Sequence, residues 1–340
     1  MNENRIQARY YEKMPGTNNL RCLLCSHRCV IAPEKKGFCH SRLNEGGVLY
    51  TLNYASASAV NIDPIEKKPL YHFLPSTDIV SIGTNFCNYS CKFCQNYEIS
   101  QFKTTAINLN PQKLLDLIKS DQNCSALAFT YNEPVIWYEF VYDVSKFIKK
   151  NNYKTVLVTN GDISADAFAE LAPYIDAMNI DLKAFDKKFY AEICAGSLEA
   201  VCATIESAFK RKIIVEVTNL IIPGLNDSEA MLSALIDFVA SVSTDIPLHF
   251  SKYHPAYLMN YPATGLAVMD KAYSMAAKKL KYVYLGNVSA GEKSSTYCPA
   301  CKKKIIKRDN HECEPFGINF KGECLFCGEK IYGNFYNCNN

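Results

Sequence analysis

The chain has 340 residues, 48% of them apolar and 21% charged, with a formal net charge of +3. Length alone gives room for roughly two domains at ~150 residues each, and the apolar share excludes disordered, collagen-like and low-complexity classes. The small basic excess ranks a dedicated nucleic-acid binder low, because neutralising phosphates takes a basic stripe.

The opening stretch MNENRIQARYYEKMPG is polar and lacks a signal-peptide core. No apolar run reaches the ~18 to 20 residues that a spanning helix needs. A cytoplasmic protein without membrane association is therefore expected. Sixteen cysteines are then the anomaly, since thiols kept reduced in such a compartment read as metal ligands instead of disulfides.

The first cysteine group opens the chain. Cys22-x2-Cys25-x3-Cys29-x9-Cys39 offers four thiolates, three of them in one tight loop. Such a set suits zinc or a second [4Fe–4S] cluster with no open iron, and His27 and His40 could each replace a thiolate. Residues 1–76 are expected to form this N-terminal metal-binding segment.

A different texture fills residues 77–290. Short runs rich in β-branched and aromatic residues recur as IVSIG (79–83), ALAF (126–129), TVLV (155–158), AMNI (177–180), IIVEV (213–217), IPLHF (246–250) and YVYL (282–285). Helical patterns lie between them. Asn110-Pro111 reads as an N-cap followed by proline at the first helical position, and Pro134 opens a second amphipathic run. Helices are also expected over 164–172 and 227–242. This alternation predicts an α/β fold with a parallel sheet and right-handed crossovers, an incomplete TIM-like (β/α)6 barrel. A doubly wound open sheet is the competing architecture.

Each of the first six predicted strands runs into an unusual polar cluster: GTNFCNYSCKFC (83–94), TYNEP (130–134), TNG (159–161), DLK (181–183), TNLIIPGLND (218–227) and SKYHP (251–255). In a parallel β/α fold these strand ends share one face, so one site assembled from six loops is implied. Its most telling part is Cys87-x3-Cys91-x2-Cys94. Zinc sites usually split their four ligands into two distant pairs. Three thiolates wrapped in one loop suit a cubane instead, and leave one iron without a protein ligand.

Residues 291–340 form the last expected unit. Cys298-x2-Cys301 and Cys324-x2-Cys327 are two knuckles 22 residues apart, the spacing of a zinc-ribbon or rubredoxin-like module, with zinc favoured over iron. Cys313 and Cys338 fall outside the pairs and are not expected to be ligands. The basic residues Lys302, Lys303, Lys304, Lys307 and Arg308 are expected on a solvated face.

The three-cysteine loop, with Phe93 just before its last cysteine and its place after the first barrel strand, resembles the radical S-adenosylmethionine (SAM) enzymes. That resemblance implies a [4Fe–4S] cluster on Cys87, Cys91 and Cys94 whose open iron chelates SAM, and reductive cleavage to a 5′-deoxyadenosyl radical. It implies an anaerobic oxidoreductase chemistry driven by a low-potential donor such as flavodoxin or ferredoxin. Glu133 is placed to hold the SAM amino group, with capping of the following helix as its alternative role. Thr159, Asn160, Asp181 and Lys183 resemble the TNG and DLK positions of pyruvate formate-lyase activating enzymes, which contact the SAM carboxylate and ribose; His254 looks like a further SAM contact or a turn residue. The acid that precedes TNG in that branch is replaced by Val158, which removes one ligand of a monovalent cation. Over about Cys22 to Gly333 the motifs CLLCSHRCVIAPEKKGFCHSR, TYNEPVIWYEF, NIDLK and YVYLGNVSAGEKSSTYCPAC resemble the AmmeMemoRadiSam system radical SAM enzymes, with Ser26 in place of the usual proline.

The expected substrate is then a small molecule or an RNA or protein residue. The alternative within the class is an activating enzyme that installs a glycyl radical on a partner protein. The alternative outside it is a zinc-finger protein that binds nucleic acid on an idle barrel.

Overall fold

A computed structural model describes residues 5–288, 291–309 and 312–335. Its centre is an eight-stranded sheet. The strands are β1 (Ala59–Pro64), β2 (Asp78–Gly83), β3 (Cys124–Phe129), β4 (Lys154–Thr159), β5 (Ala177–Asp181), β6 (Ile214–Ile221), β7 (Leu248–Lys252) and β8 (Val283–Gly286). From β2 to β8 they lie side by side in chain order and all pair in parallel. Strand β1 joins the β2 edge antiparallel, with Ala59 opposite Gly83. Strands β1 and β8 do not pair, so the sheet is not a closed barrel.

Six helices make the crossovers: α1 (Pro111–Lys119), α2 (Tyr138–Lys150), α3 (Ala165–Leu171), α4 (Leu198–Lys210), α5 (Glu229–Val242) and α6 (Leu266–Ala276). Their starts follow the sequence signals. Asn110 caps α1, its side chain accepting from the Lys113 N–H at 2.9 Å, with Pro111 at the first turn. Helix α1 buries Leu114, Leu115 and Ile118, and α2 buries Phe140, Val141, Val144 and Ile148 against the sheet.

Alternate strand residues face opposite ways. Val80, Ile82, Leu127, Phe129 and Leu157 pack with the helices. Ile79, Ala126, Ala128, Val156 and Ala177 face the concave side, where they meet Ile65, Leu70, Phe73 and Leu74. Residues 65–74 thus fill the inner face of the open sheet. They are pinned there by polar bonds, Asn179 Nδ2 donating to the Pro69 carbonyl at 2.7 Å and the His72 N–H to Glu216 Oε1 at 2.7 Å.

Two small sheet units flank this core. The N-terminal one carries two three-stranded sheets, one of them built from Tyr11–Lys13, Leu20–Cys22 and Val30–Ile31. It docks on the α2 side through a buried ion pair between Arg42 and Glu139 at 2.7 Å. The C-terminal unit is an antiparallel sheet of Thr296–Tyr297, Lys304–Asp309 and Glu312–Pro315. Its Cys298, Ile305, Ile306 and Ile318 pack on Tyr71, Tyr282 and Tyr284. Arg308 departs from the expected solvated face. It is 2% exposed, stacked over the Tyr71 ring at 4.3 Å and donating to the Tyr71 carbonyl at 2.7 Å, because it bridges this unit to the segment inside the sheet. Cys338 lies outside the described residues. Among the described residues no helix is long and apolar enough to cross a membrane.

Candidate active site

The loops at the carboxyl ends of the parallel strands enclose a cavity of about 340 Å³. Cys87, Cys91, Phe93, Cys94, Glu133, Thr159, Asn160, Asp181 and Lys183 all line it. One residue expected in the site stands apart: His254 is exposed and does not line the cavity, although its carbonyl accepts from Gln95 Nε2 at 3.1 Å.

The cysteine loop is held from several sides. Cys87 Sγ accepts from the Tyr89 N–H at 3.3 Å. The Ser90 and Lys92 N–H groups donate to the Cys194 and Ile193 carbonyls, each at 3.0 Å. The Tyr89 ring stacks where Gly196 leaves space, and its hydroxyl accepts from the Ser197 N–H at 3.2 Å. Cys194 is fully buried and hydrogen-bonds Cys91, but it does not line the cavity.

Glu133 is the hub of the neighbouring loops. Its carboxylate accepts the Thr159 hydroxyl at 2.7 Å, the Asn160 N–H at 2.7 Å and the Val135 N–H at 3.0 Å. The last of these is the cap of the turn at Pro134, so the residue also takes its alternative place at a helix N-terminus. Burial nevertheless dominates and pushes its pKa up to about 7, with these donors acting against the rise. Asn160 then reaches sideways, its Nδ2 donating to Asn88 Oδ1 at 2.8 Å. Lys183 brings a cation to the same cavity. Burial works against the Lys183 ammonium, but Asp181 at 2.8 Å and the neighbouring Cys91 outweigh it and keep the lysine well above its ordinary pKa.

Several lining residues carried no local signal in the sequence. Lys67 and Lys68 enter from the segment inside the sheet and share Asp63, at 3.5 and 2.7 Å. Tyr131 also donates to Asp63, at 2.8 Å. Asn88 and Asp162 couple the cysteine loop to the TNG loop, Asn88 Nδ2 donating to the Asp162 carbonyl at 3.1 Å. Such contacts arise from tertiary placement.

The donor set fits the groups that the motifs imply. Three thiols of one loop face a cavity open to solvent, with no fourth cysteine on its wall. The buried Glu133 carboxylate and the Lys183 ammonium both line it, complementary to a ligand that carries an amino and a carboxylate group. The second metal set is also formed. Cys298, Cys301, Cys324 and Cys327 bring all four sulfurs within 4.8 Å of one another, with Cys298–Cys327 at 3.6 Å and Cys301–Cys324 at 3.8 Å. Ligands about 2.3 Å from one tetrahedral ion stand ~3.8 Å apart, so a single metal ion fits.

Residues 81–239 match the Radical SAM superfamily. The chain belongs to that superfamily. Over 332 residues it is 40% identical to an uncharacterized protein of Methanocaldococcus jannaschii, covering 96% of this chain and 98% of that one. It is 26% identical over 163 residues to the 4-hydroxyphenylacetate decarboxylase activating enzyme of Clostridioides difficile (strain 630), covering 44% of this chain and 51% of the relative. Among solved structures, a radical SAM methyltransferase from Sphaerobacter thermophilus shares the fold with a TM-score of 0.51 at 13% identity, over 63% of this chain and 67% of that one.

Proposed function

We propose that the chain is a radical SAM enzyme that cleaves SAM reductively and abstracts a hydrogen atom from its substrate. The observation that carries this reading is the convergence of Cys87, Cys91 and Cys94 with Glu133, Thr159, Asn160, Asp181 and Lys183 on one cavity. Cys87, Cys91 and Cys94 would hold a [4Fe–4S] cluster, and that cluster with SAM supplies the reductive cleavage and the hydrogen-abstracting radical.

The chain's own residues bind and orient. Glu133, ionised by the approach of an ammonium, holds the amino end of the cofactor, while Lys183 neutralises its carboxylate. Thr159 and Asn160 fix the Glu133 carboxylate in place and face the ribose. Phe93 lines the wall beside Lys183, with the ammonium 5.8 Å from its ring. The electron comes from a low-potential flavodoxin or ferredoxin. The four C-terminal cysteines hold zinc, which stabilises a small unit through closed, redox-inert ligation. A cytoplasmic location suits the reduced thiols.

The test is anaerobic reconstitution with iron, sulfide and a low-potential reductant. The wild-type protein is expected to produce 5′-deoxyadenosine and Cys91→Ala to produce none; equal production by the variant would overturn the reading.

The likeness to relatives named as activating enzymes favours a second form of the reaction, in which the hydrogen comes from a glycine of a partner protein. A glycyl doublet in the EPR spectrum of a mixture with that partner would establish it.

A further inference from the structure

The N-terminal cysteines remain outside the site described above. Cys22, Cys25, Cys29 and Cys39 line one small closed cavity, with Ile31, Phe38 and Arg42 around it. Two observations say what belongs there. The C-terminal quartet sets the scale of a single ion, and it is the one group among the described residues whose sulfurs all lie within 4.8 Å of one another. The N-terminal four share a cavity without forming so compact a group. A cubane puts its four thiolates on four different corner irons and spaces them more widely than a single tetrahedral ion does.

The second observation is Arg42. It is 1% exposed and lines the same cavity. One nitrogen donates to Glu139 at 2.7 Å, while Nε and Nη2 have no partner. Buried donors left unpaired are costly and rare. An anionic cluster with exposed sulfur acceptors would satisfy them.

This cavity also touches the radical site. His27, between Cys25 and Cys29, bonds through Nε2 to the Asn88 carbonyl at 2.7 Å, and Asn88 follows Cys87. The Ser26 N–H donates to Asp162 Oδ1 at 2.8 Å, and the Asp162 carbonyl accepts from Asn88. We propose that Cys22, Cys25, Cys29 and Cys39 bind a four-cysteine iron–sulfur cluster that relays electrons to the Cys87 loop through the His27–Asn88 contact. One electron enters from a donor of the flavodoxin or ferredoxin class, which is oxidised by one electron. The same electron leaves toward the Cys87 loop, so the relay ends in its starting redox state. The relay rests on the radical SAM reading; the cluster assignment does not.

The test uses the full chain, reconstituted anaerobically. A Cys87→Ala/Cys91→Ala/Cys94→Ala variant is expected to keep about four iron and four sulfide per chain, with an EPR signal on reduction that SAM leaves unchanged. Zinc without sulfide in that variant, beside a SAM-sensitive signal in the wild type, would overturn the assignment and leave the radical SAM reading standing. In the wild type, freeze-quench EPR follows reduction of the SAM-sensitive cluster by reduced flavodoxin. His27→Ala, which keeps all four thiolates, is expected to slow that reduction several-fold at unchanged iron content. An unchanged rate would overturn the relay. Cys25→Ser/Cys29→Ser serves as a second variant, expected to lose the SAM-insensitive signal alone; loss of neither signal would refute the assignment.

Discussion

Glu133 and Asn160 sit on successive strand-end loops and are locked together, the Asn160 N–H donating to Glu133 Oε2 at 2.7 Å. The same asparagine holds Asn88 of the cysteine loop at 2.8 Å. Three loops that are far apart in sequence therefore move as one body, and the carboxylate at their junction is 1% exposed.

On the role proposed for Glu133, this junction is expected to give SAM binding a pH dependence. With a folded pKa of about 7 against an ordinary 4.5, Glu133 binds its proton more tightly in the folded chain. Its contribution to stability is full below about pH 4.5 and is lost as the pH rises through about 7. Cofactor binding, which needs the carboxylate, runs the other way and strengthens up to about pH 7. Glu133→Gln is expected to weaken SAM binding by about tenfold or more, a charge-assisted bond being worth ~1.5 to 3 kcal/mol, and to flatten the pH profile. Calorimetric titration across the range checks both.

Gly196 is a steric keystone of the cysteine loop. A Cβ there would stand 2.1 Å from the Tyr89 ring, which is 1% exposed. Gly196→Ala is expected to cost about 1 to 3 kcal/mol and to lower the iron content of the Cys87 loop by displacing Tyr89. The sole tryptophan, Trp137, is buried with its indole N–H on the Asn53 carbonyl at 2.6 Å, so its fluorescence reports global unfolding separately.

His72 makes the seat of the C-terminal unit acid-sensitive. Its ring is fully buried, bonded to the Tyr332 carbonyl and the Tyr284 hydroxyl, each at 2.6 Å. Burial pulls its pKa down to about 4 from 6.5. The unfolded chain thus binds the proton more tightly, and stability falls as the pH drops from about 6.5 through 4, by about 3 kcal/mol in total. Equilibrium unfolding in urea across that range is expected to show the loss, and His72→Gln to reduce it.

Removing the metal from the C-terminal quartet is expected to loosen the packing of Ile305, Ile306 and Ile318 on Tyr282 and Tyr284. Cys301→Ser should release metal to a colorimetric chelator and lower the melting temperature, with the SAM-sensitive EPR signal retained.

The seven parallel strands were legible because each is a short apolar run, the first six ending in a polar cluster, and α1 and α2 because their caps and periodicity agree. Strand β1 was not. Its sequence AVNIDP mixes polar residues and a proline, and it is a strand because the β2 edge needed a partner. Of the residues lining the cavity, Cys87, Cys91 and Cys94 were legible from their spacing and Glu133 from its place at a strand end. Lys67 and Lys68 were not, since only the placement of residues 65–74 brings them to the cavity, and the Asn88–Asp162 bond behind the wall joins two loops that are far apart in sequence. Arg308 looked solvated by its lysine neighbours; its partner Tyr71 lies 237 residues away in sequence.

Residues 65–74 give the chamber a solid floor. Lys67 and Lys68 rise from that floor into the wall, so the segment that plugs the sheet also sets the charge at the base of the cavity.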